Sequence, residues 1–266
     1  MPPRRPVRPV PAATLVLLRD RPAGGVQVLL IQRHASSKFG AGDFVFPGGK
    51  IEPEDLPADV GGWCVGLTPK EARARLVNIA SRREALAYWV GAIREAFEEV
   101  GILLAYGPDD ALLRLSGDAG SRFDGYRQAC QRDGRAFWGM LARERIRLAT
   151  DRLVYFAHWI TPEENPIRFD TRFFVAEAPA EQEALADYQE IVAVRWMSPS
   201  EAIGAARRAE ISMRFPTIRN LGLLGGSSAA EVLASLEGRQ VPPIRPRVIG
   251  EGPDRRVLLP GDTGWY

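Results

Sequence analysis

Cysteine is scarce in this chain. There are two, Cys64 and Cys130, and neither belongs to a C-x-x-C pair. That spacing excludes a zinc ribbon and a disulfide framework and makes a reducing compartment the default. Lysine occurs only at Lys38, Lys50 and Lys70, so arginine supplies nearly all the positive charge. With 35 basic and 33 acidic residues the formal net charge is +2, which gives no bulk-charge footprint for a nucleic-acid binder. Arginine in place of lysine suits two-pronged contacts to phosphate, although an arginine-rich proteome would leave the same bias. No run is long and apolar enough to span a membrane. The Pro- and Arg-rich start lacks the apolar stretch of a secretory signal, and its prolines work against an amphipathic transit helix. A cytoplasmic protein acting on a small molecule, with no nucleic-acid or membrane partner, is expected; a homodimer is left open.

What is present is one sizeable core: 266 residues, 45% of them hydrophobic. Residues 1–11 read as a flexible lead, 12–240 as one domain, and 241–266 as an extension packing on it. Ala13–Leu18 and Val26–Gln32 read as a hairpin turning at Gly24-Gly25. Phe44–Phe46 is a short strand ending at Pro47-Gly48-Gly49, and Pro53–Gly66 has loop chemistry. Helices are predicted over Pro69–Asn78, Arg82–Val100 and Ser121–Arg147, giving a helical insert over 56–93 and a further helical segment over 107–150. Strands are predicted over Leu153–Ile160, Phe169–Ala176 and Glu190–Met197. Ser198 opens a helix with Pro199 in its first turn, and shorter helices follow over Thr217–Leu224 and Ser227–Leu236. Arg245–Ile249 and Arg256–Leu259 are strand-like. Strands and helices mix without βαβ regularity, which argues an α+β fold rather than a Rossmann sheet.

The helix over Arg82–Val100 carries the candidate chemistry. At about 100° per residue, Glu98 and Glu99 flank Glu95 in one acidic stripe. Leu86, Trp89, Val90, Ile93, Phe97 and Val100 form a wide apolar arc opposite. Gly91 lies one turn before Glu95 on the acidic side, where a missing side chain would leave room for a ligand. Gly101 should stop the helix. Like charges at this spacing destabilise a helix. Either solvent and counter-ions cover the stripe, or a hard divalent cation such as Mg²⁺ or Mn²⁺ binds it. Arg94 stands four residues before Glu98, where it could orient a carboxylate or contact phosphate.

The segment upstream favours the cation. Phe46-Pro47-Gly48-Gly49-Lys50-Ile51-Glu52, followed by Arg94-Glu95-Ala96-Phe97-Glu98-Glu99-Val100-Gly101-Ile102, resembles the Nudix box, G-x5-E-x7-R-E-U-x-E-E-x-G-U with U apolar. The second half matches at every defined position. The resemblance implies a Nudix α/β/α sandwich with a mixed sheet and an added helical insertion. It also implies cleavage of a nucleoside diphosphate derivative. Glu95, Glu98 and Glu99 would be metal ligands, Arg94 would hold the glutamates, and Gly48 would lend a backbone carbonyl to the metal. Two positions depart from the pattern. The first glutamate falls on Asp55, whose shorter side chain predicts a weaker orienting role. Leu56–Ile93 replaces a seven-residue spacer, about thirty extra residues and long for an unstructured connection, so it should be a folded excursion.

That interruption resembles the coenzyme A diphosphatase branch of the family. So do Leu29–Arg33 with Phe39, His158–Pro162 with Arg168–Phe174, and Leu258–Asp262. The branch implies coenzyme A or an acyl-CoA as substrate, with 3′,5′-ADP and (acyl-)4′-phosphopantetheine as products. The chain ends Gly264-Trp265-Tyr266, unlike a peroxisomal SKL-type signal. Arg33, Lys38, Lys50 and Gly49 border the expected cleft and are candidate phosphate contacts, with Trp63, Val65 and Leu67 of the insert as an apolar wall. Glu190, just before a strand, matches a glutamate that often binds metal or acts as base in the family, although a strand-edge carboxylate reads equally well. His158 reads as a core histidine, and Arg168–Arg172 as an internal ion pair. The competing functions are an ADP-ribose or nucleotide-sugar pyrophosphatase and a non-catalytic nucleotide sensor. Loss of one of the three glutamates would have pointed to the sensor, and all three are present.

Overall fold

The computed structural model describes residues 7–37, 40–56, 59–79, 81–250, 256–263 and 265. β1 (Val10–Asp20) and β2 (Val26–Arg33) form the expected hairpin, with Leu18 opposite Val28. Gly24 and Gly25 both take positive φ at the turn (84° and 83°), a region glycine enters freely. β3 (Phe44–Val45) pairs with β2, and β4 (Gly48–Lys50) pairs with β1. α1 (Pro69–Arg75) and α2 (Arg82–Val100) follow. A two-stranded ladder of β5 (Ala105–Tyr106) and β6 (Arg147–Leu148) then brackets α3 (Gly117–Arg132) and α4 (Ala136–Glu144). β7 (Val154–Ile160), β8 (Phe169–Glu177) and β9 (Ile191–Met197) complete the main sheet. α5 (Pro199–Arg207), α6 (Phe215–Leu221) and α7 (Ala229–Leu236) come next, and the hairpin of β10 (Arg247–Ile249) and β11 (Arg256–Leu258) follows.

The sheet runs β3-β2-β1-β8-β7, with β4 on β1 and β9 on β2. β1 and β8 are parallel and the other pairs antiparallel, so the sheet is mixed. β1 is apolar on both faces because both faces are covered. Ala13, Leu15 and Leu17 enter one core with Trp89, Ile93 and Phe97 of α2. Val16 and Leu18 enter a second with Ala202 of α5 and Val232 and Leu236 of α7. Helices thus flank the sheet on both sides, as an α/β/α sandwich requires.

α2 keeps its expected bounds. Ser81 caps its start by accepting from Glu84 N at 3.0 Å, and Gly101 ends it at φ 76°. Three local expectations change. β1 begins at Val10, so Val10 and Pro11 belong to the sheet opposite Phe169 and Asp170 rather than to the lead. α1 stops at Arg75, short of Asn78, which takes a left-handed conformation at φ 58°. The helix expected over Ser121–Arg147 is two helices, because Asp133 captures the backbone N–H and guanidinium of Arg135 and Gly134 follows it. Of the two readings of the acidic stripe, a solvated face is not what the fold shows, since Arg94 and Glu99 are buried and Glu95 and Glu98 partly so. Among the described residues no helix is long and apolar enough to cross a membrane.

Trp89 is fully buried, with its ring centroid 4.7 Å from that of Phe174 on β8. Truncating it should leave a cavity between α2 and the sheet. Trp89→Ala should cost about 3–5 kcal/mol in urea-induced unfolding, and a much smaller loss would contradict this packing.

Candidate active site

The loop after β3 brings backbone against the acidic end of α2, and two glycines make this approach sterically feasible. A Cβ on Gly48 would lie 2.5 Å from Ala13 O and 2.7 Å from Thr14 Cα. One on Gly49 would lie 2.5 Å from Glu95 Oε1. With neither Cβ present, β4 lies on β1 and the Gly48 N–H donates to Glu99 Oε2 at 2.8 Å.

Arg94 is the hub of the site. Its buried guanidinium donates from Nε to Asp55 Oδ1 (2.7 Å) and from Nη2 to Asp55 Oδ2 (3.1 Å). Nη1 donates to Glu98 Oε2 (2.8 Å), while Nη2 also reaches Glu95 Oε1 (3.0 Å) and the Lys50 carbonyl (3.0 Å). The expectation that Asp55 orients weakly is therefore corrected. A single 3-10 turn, Pro53–Asp55, carries it inward, and its carboxylate also accepts from Glu52 N at 2.9 Å. Asp55 is fully buried, and approach of the backbone makes up for its shorter side chain. Gly91 is corrected as well. Its open side is filled by this chain, since a Cβ there would meet Ile51 Cδ1 at 2.7 Å and Asp55 Oδ2 at 3.2 Å.

The glutamates carry more negative charge than their partners balance. Burial, reinforced by Glu98 and Asp55 and opposed by Arg94, pushes Glu95 up to about 7. Burial also raises Glu98, and burial together with Glu95 raises Glu99 well above the usual carboxylate range. Glu98 Oε1 is buried without a hydrogen-bond partner. These hard oxygen donors suit Mg²⁺ or Mn²⁺. Among the described residues no three acidic, His or Cys side chains are already gathered as a ligand set. Glu95 and Glu98 turn toward Arg94, and Glu99 turns toward Gly48. Glu95, Glu98, Glu99 and the Gly48 backbone are the groups that could hold a cation.

The other candidates are less tightly gathered. Arg33 Nη1 lies 3.7 Å from Glu99 Oε1. Glu190 is exposed, yet its charge acts on both Glu98 and Glu99, which puts it at the rim. Arg33, Gly49 and exposed Lys50 line a cleft of about 360 Å³, while Lys38 and Phe39 lie outside the described residues. The apolar wall of this cleft is not the insert. Trp159, Phe169 and Phe173 of β7 and β8 build it, with Arg214 at the start of α6 facing the same space. Trp63 instead packs on Trp138, and Leu67 is buried in the core. The strand alternation of Phe169 and Phe173 put them on one face, but nothing local said which face a ligand would use. His158 is fully buried, with Nε2 2.5 Å from Asp170 Oδ1, and Arg172 Nη1 pairs with the same oxygen at 2.7 Å.

The family model described as the NUDT19 Nudix domain matches residues 10–224. The human protein named acyl-coenzyme A diphosphatase NUDT19 is 30% identical over 225 residues, a match covering 73% of this chain and 59% of the relative. Its Xenopus laevis counterpart is 28% identical over 207 residues, covering 66% and 54%. The chain thus spans less than two thirds of the length of these relatives. The crystal structure of a Nudix hydrolase from Alicyclobacillus acidocaldarius matches at a TM-score of 0.70 and 24% identity, over 87% of this chain and 98% of that one, a likeness of fold.

Removing one partner of a buried ion pair strands the other. Asp55→Asn should therefore destabilise the protein by about 3 kcal/mol in chemical denaturation; near-wild-type stability would show that Asp55 does not anchor Arg94. The raised glutamates set a second expectation, for metal-free protein. Between pH 5 and 7 the folded state keeps protons that the unfolded chain, with carboxylates near 4.5, has released. Stability should then fall as pH rises through that window, and a melting temperature that climbs steadily from pH 5 to 7 would contradict it.

Proposed function

The chain belongs to the Nudix family, in the branch whose model is the NUDT19 Nudix domain, and from that premise we propose that it hydrolyses the phosphoanhydride bond of coenzyme A or an acyl-CoA. The products would be 3′,5′-ADP and 4′-phosphopantetheine or its acyl form. The observation that carries this reading is the junction at Gly48–Lys50: the glutamate array meets that loop from α2, and the same loop borders a cleft with an apolar wall. Two relatives named acyl-coenzyme A diphosphatase support the substrate class.

Each residue then has a physical task. Arg94 fixes the Glu95 and Glu98 carboxylates, and the Gly48 N–H fixes Glu99. Bound among these groups, Mg²⁺ or Mn²⁺ would neutralise the pyrophosphate and favour ionisation of the attacking water. Glu190, at the rim, would be the carboxylate that takes a proton from that water. Arg33 and Lys50 offer cations to phosphate oxygens where the cleft meets the loop. Trp159, Phe169 and Phe173 offer an apolar surface to a pantetheine or acyl arm, which ADP-ribose lacks.

A side-by-side assay with Mg²⁺ tests the reading. CoA or acyl-CoA should be cleaved with kcat/KM roughly 10–100-fold above dephospho-CoA and ADP-ribose, the discrimination expected of one charge-assisted phosphate contact. Glu98→Gln should lower that turnover by about 10²-fold. Equal or better rates on ADP-ribose would reject the CoA assignment, and near-normal turnover by Glu98→Gln would reject the glutamate array as the catalytic centre.

A further inference from the structure

The last turns of α2 present an electrostatic difficulty. Glu95, Glu98 and Glu99 sit toward the negative end of the helix dipole, and no basic side chain occurs in the last turn. The compensating cation comes from another element. Arg127 on α3, itself buried, donates from Nε to the Glu98 carbonyl (2.9 Å) and from Nη2 to the Glu99 carbonyl (2.6 Å). Gln131, one turn further along α3, donates to the same Glu98 carbonyl at 2.7 Å and reaches Asp187 Oδ2 at 3.4 Å. The other Asp187 oxygen accepts the backbone N–H groups of Gln189, Glu190 and Ile191 at 2.9, 3.0 and 2.9 Å. Arg127 thus holds the backbone beneath two of the glutamates, and Gln131 joins that backbone to the turn that carries Glu190.

We propose that Arg127 and Gln131 are positioning residues, and that α3 is a brace setting the acidic end of α2 against the Glu190 turn. Neither residue is among those that would contact metal or substrate; Arg127 acts through the backbone at residues 98 and 99, and Gln131 through that at 98. The proposal rests on the reading of Glu95, Glu98 and Glu99 as a metal site. It also differs in sign from a simple counter-charge. Removing a cation beside carboxylates would tighten their hold on a divalent ion, whereas loosening the backbone that aims them would weaken it.

Mn²⁺ titration of the full chain, following free Mn²⁺ by its electron paramagnetic resonance signal without substrate, separates the two. Arg127→Met should weaken Mn²⁺ binding about 10-fold, the usual effect of losing an outer-shell partner. Arg127→Lys should be nearly as weak, because an ammonium keeps the charge but not the planar fork that spans both carbonyls. Gln131 is exposed, so Gln131→Ala should fold normally and melt like wild type while weakening Mn²⁺ about 3-fold, the effect of one neutral hydrogen bond. That variant decides the matter if Arg127→Met does not fold. In turnover, kcat should fall with KM little changed. Unchanged or tighter Mn²⁺ binding in Arg127→Met, full recovery by Arg127→Lys, or wild-type binding by Gln131→Ala would overturn the brace. Wild-type protein that binds no Mn²⁺, or Glu98→Gln that binds it as well as wild type, would overturn the metal-site reading and the brace with it. Binding that needs Glu98 but neither α3 residue would overturn the brace alone.

Discussion

One guanidinium holds together parts of the chain that are far apart in sequence. Arg94 meets Asp55 across 39 residues and the Lys50 carbonyl across 44, while gripping Glu95 and Glu98 on its own helix. Burying that cation would be costly without partners, and burying the carboxylates would be equally costly without it. The site is stable only as a set: a cation with five hydrogen bonds, and acids that it partly neutralises. Because the set closes through space, the chain between Asp55 and α2 can be long. A folded excursion occupies it, and α1 packs its apolar side into the same core as α2.

The sheet separates two environments, and the glycine pair joins them. On one face lie α2 and the charged cluster; on the other, α6 and the apolar side chains that β7 and β8 turn to that side border the cleft. A side chain at Gly48 or Gly49 would collide with β1 or with Glu95. Their absence brings the main chain close enough to hold Glu99 while the same residues line the cleft. An acidic array and an apolar wall are otherwise poor neighbours, since desolvation raises the affinity of each carboxyl for its proton. Here the low-dielectric surroundings make the array hungry for positive charge.

The extra helices have a comparable logic. α3 and α4 pack their aromatic residues against Phe97, with ring centroids 6.4 Å from Phe123 and 6.5 Å from Phe137. That packing seals the outer side of α2 and delivers Arg127 to its C-terminal carbonyls. An acidic helix end that would fray alone in water is thereby held from three directions: the glycine loop, Asp55 through Arg94, and α3.

Much of this was legible in the residues themselves, wherever the governing interaction is local. The bounds of α2 follow from an apolar period and Gly101. The acidic stripe follows from i, i+3 and i+4 spacing, and the β1–β2 hairpin from two apolar runs around Gly24-Gly25. The box pattern named the glutamates and Arg94 because their spacing is a property of one helix and one loop. Tertiary structure decided what depends on contacts between distant segments. Sequence could not say that Asp55 sinks deep enough to bind Arg94, or that Ile51 and Asp55 fill the space beside Gly91. Nor could it say that the cleft wall comes from Phe169 and Phe173 rather than Trp63, or that Arg127 crosses from α3 to the end of α2. In each case the local chemistry allows several partners, and the choice is made by which surfaces lose water together when the sheet and its helices close.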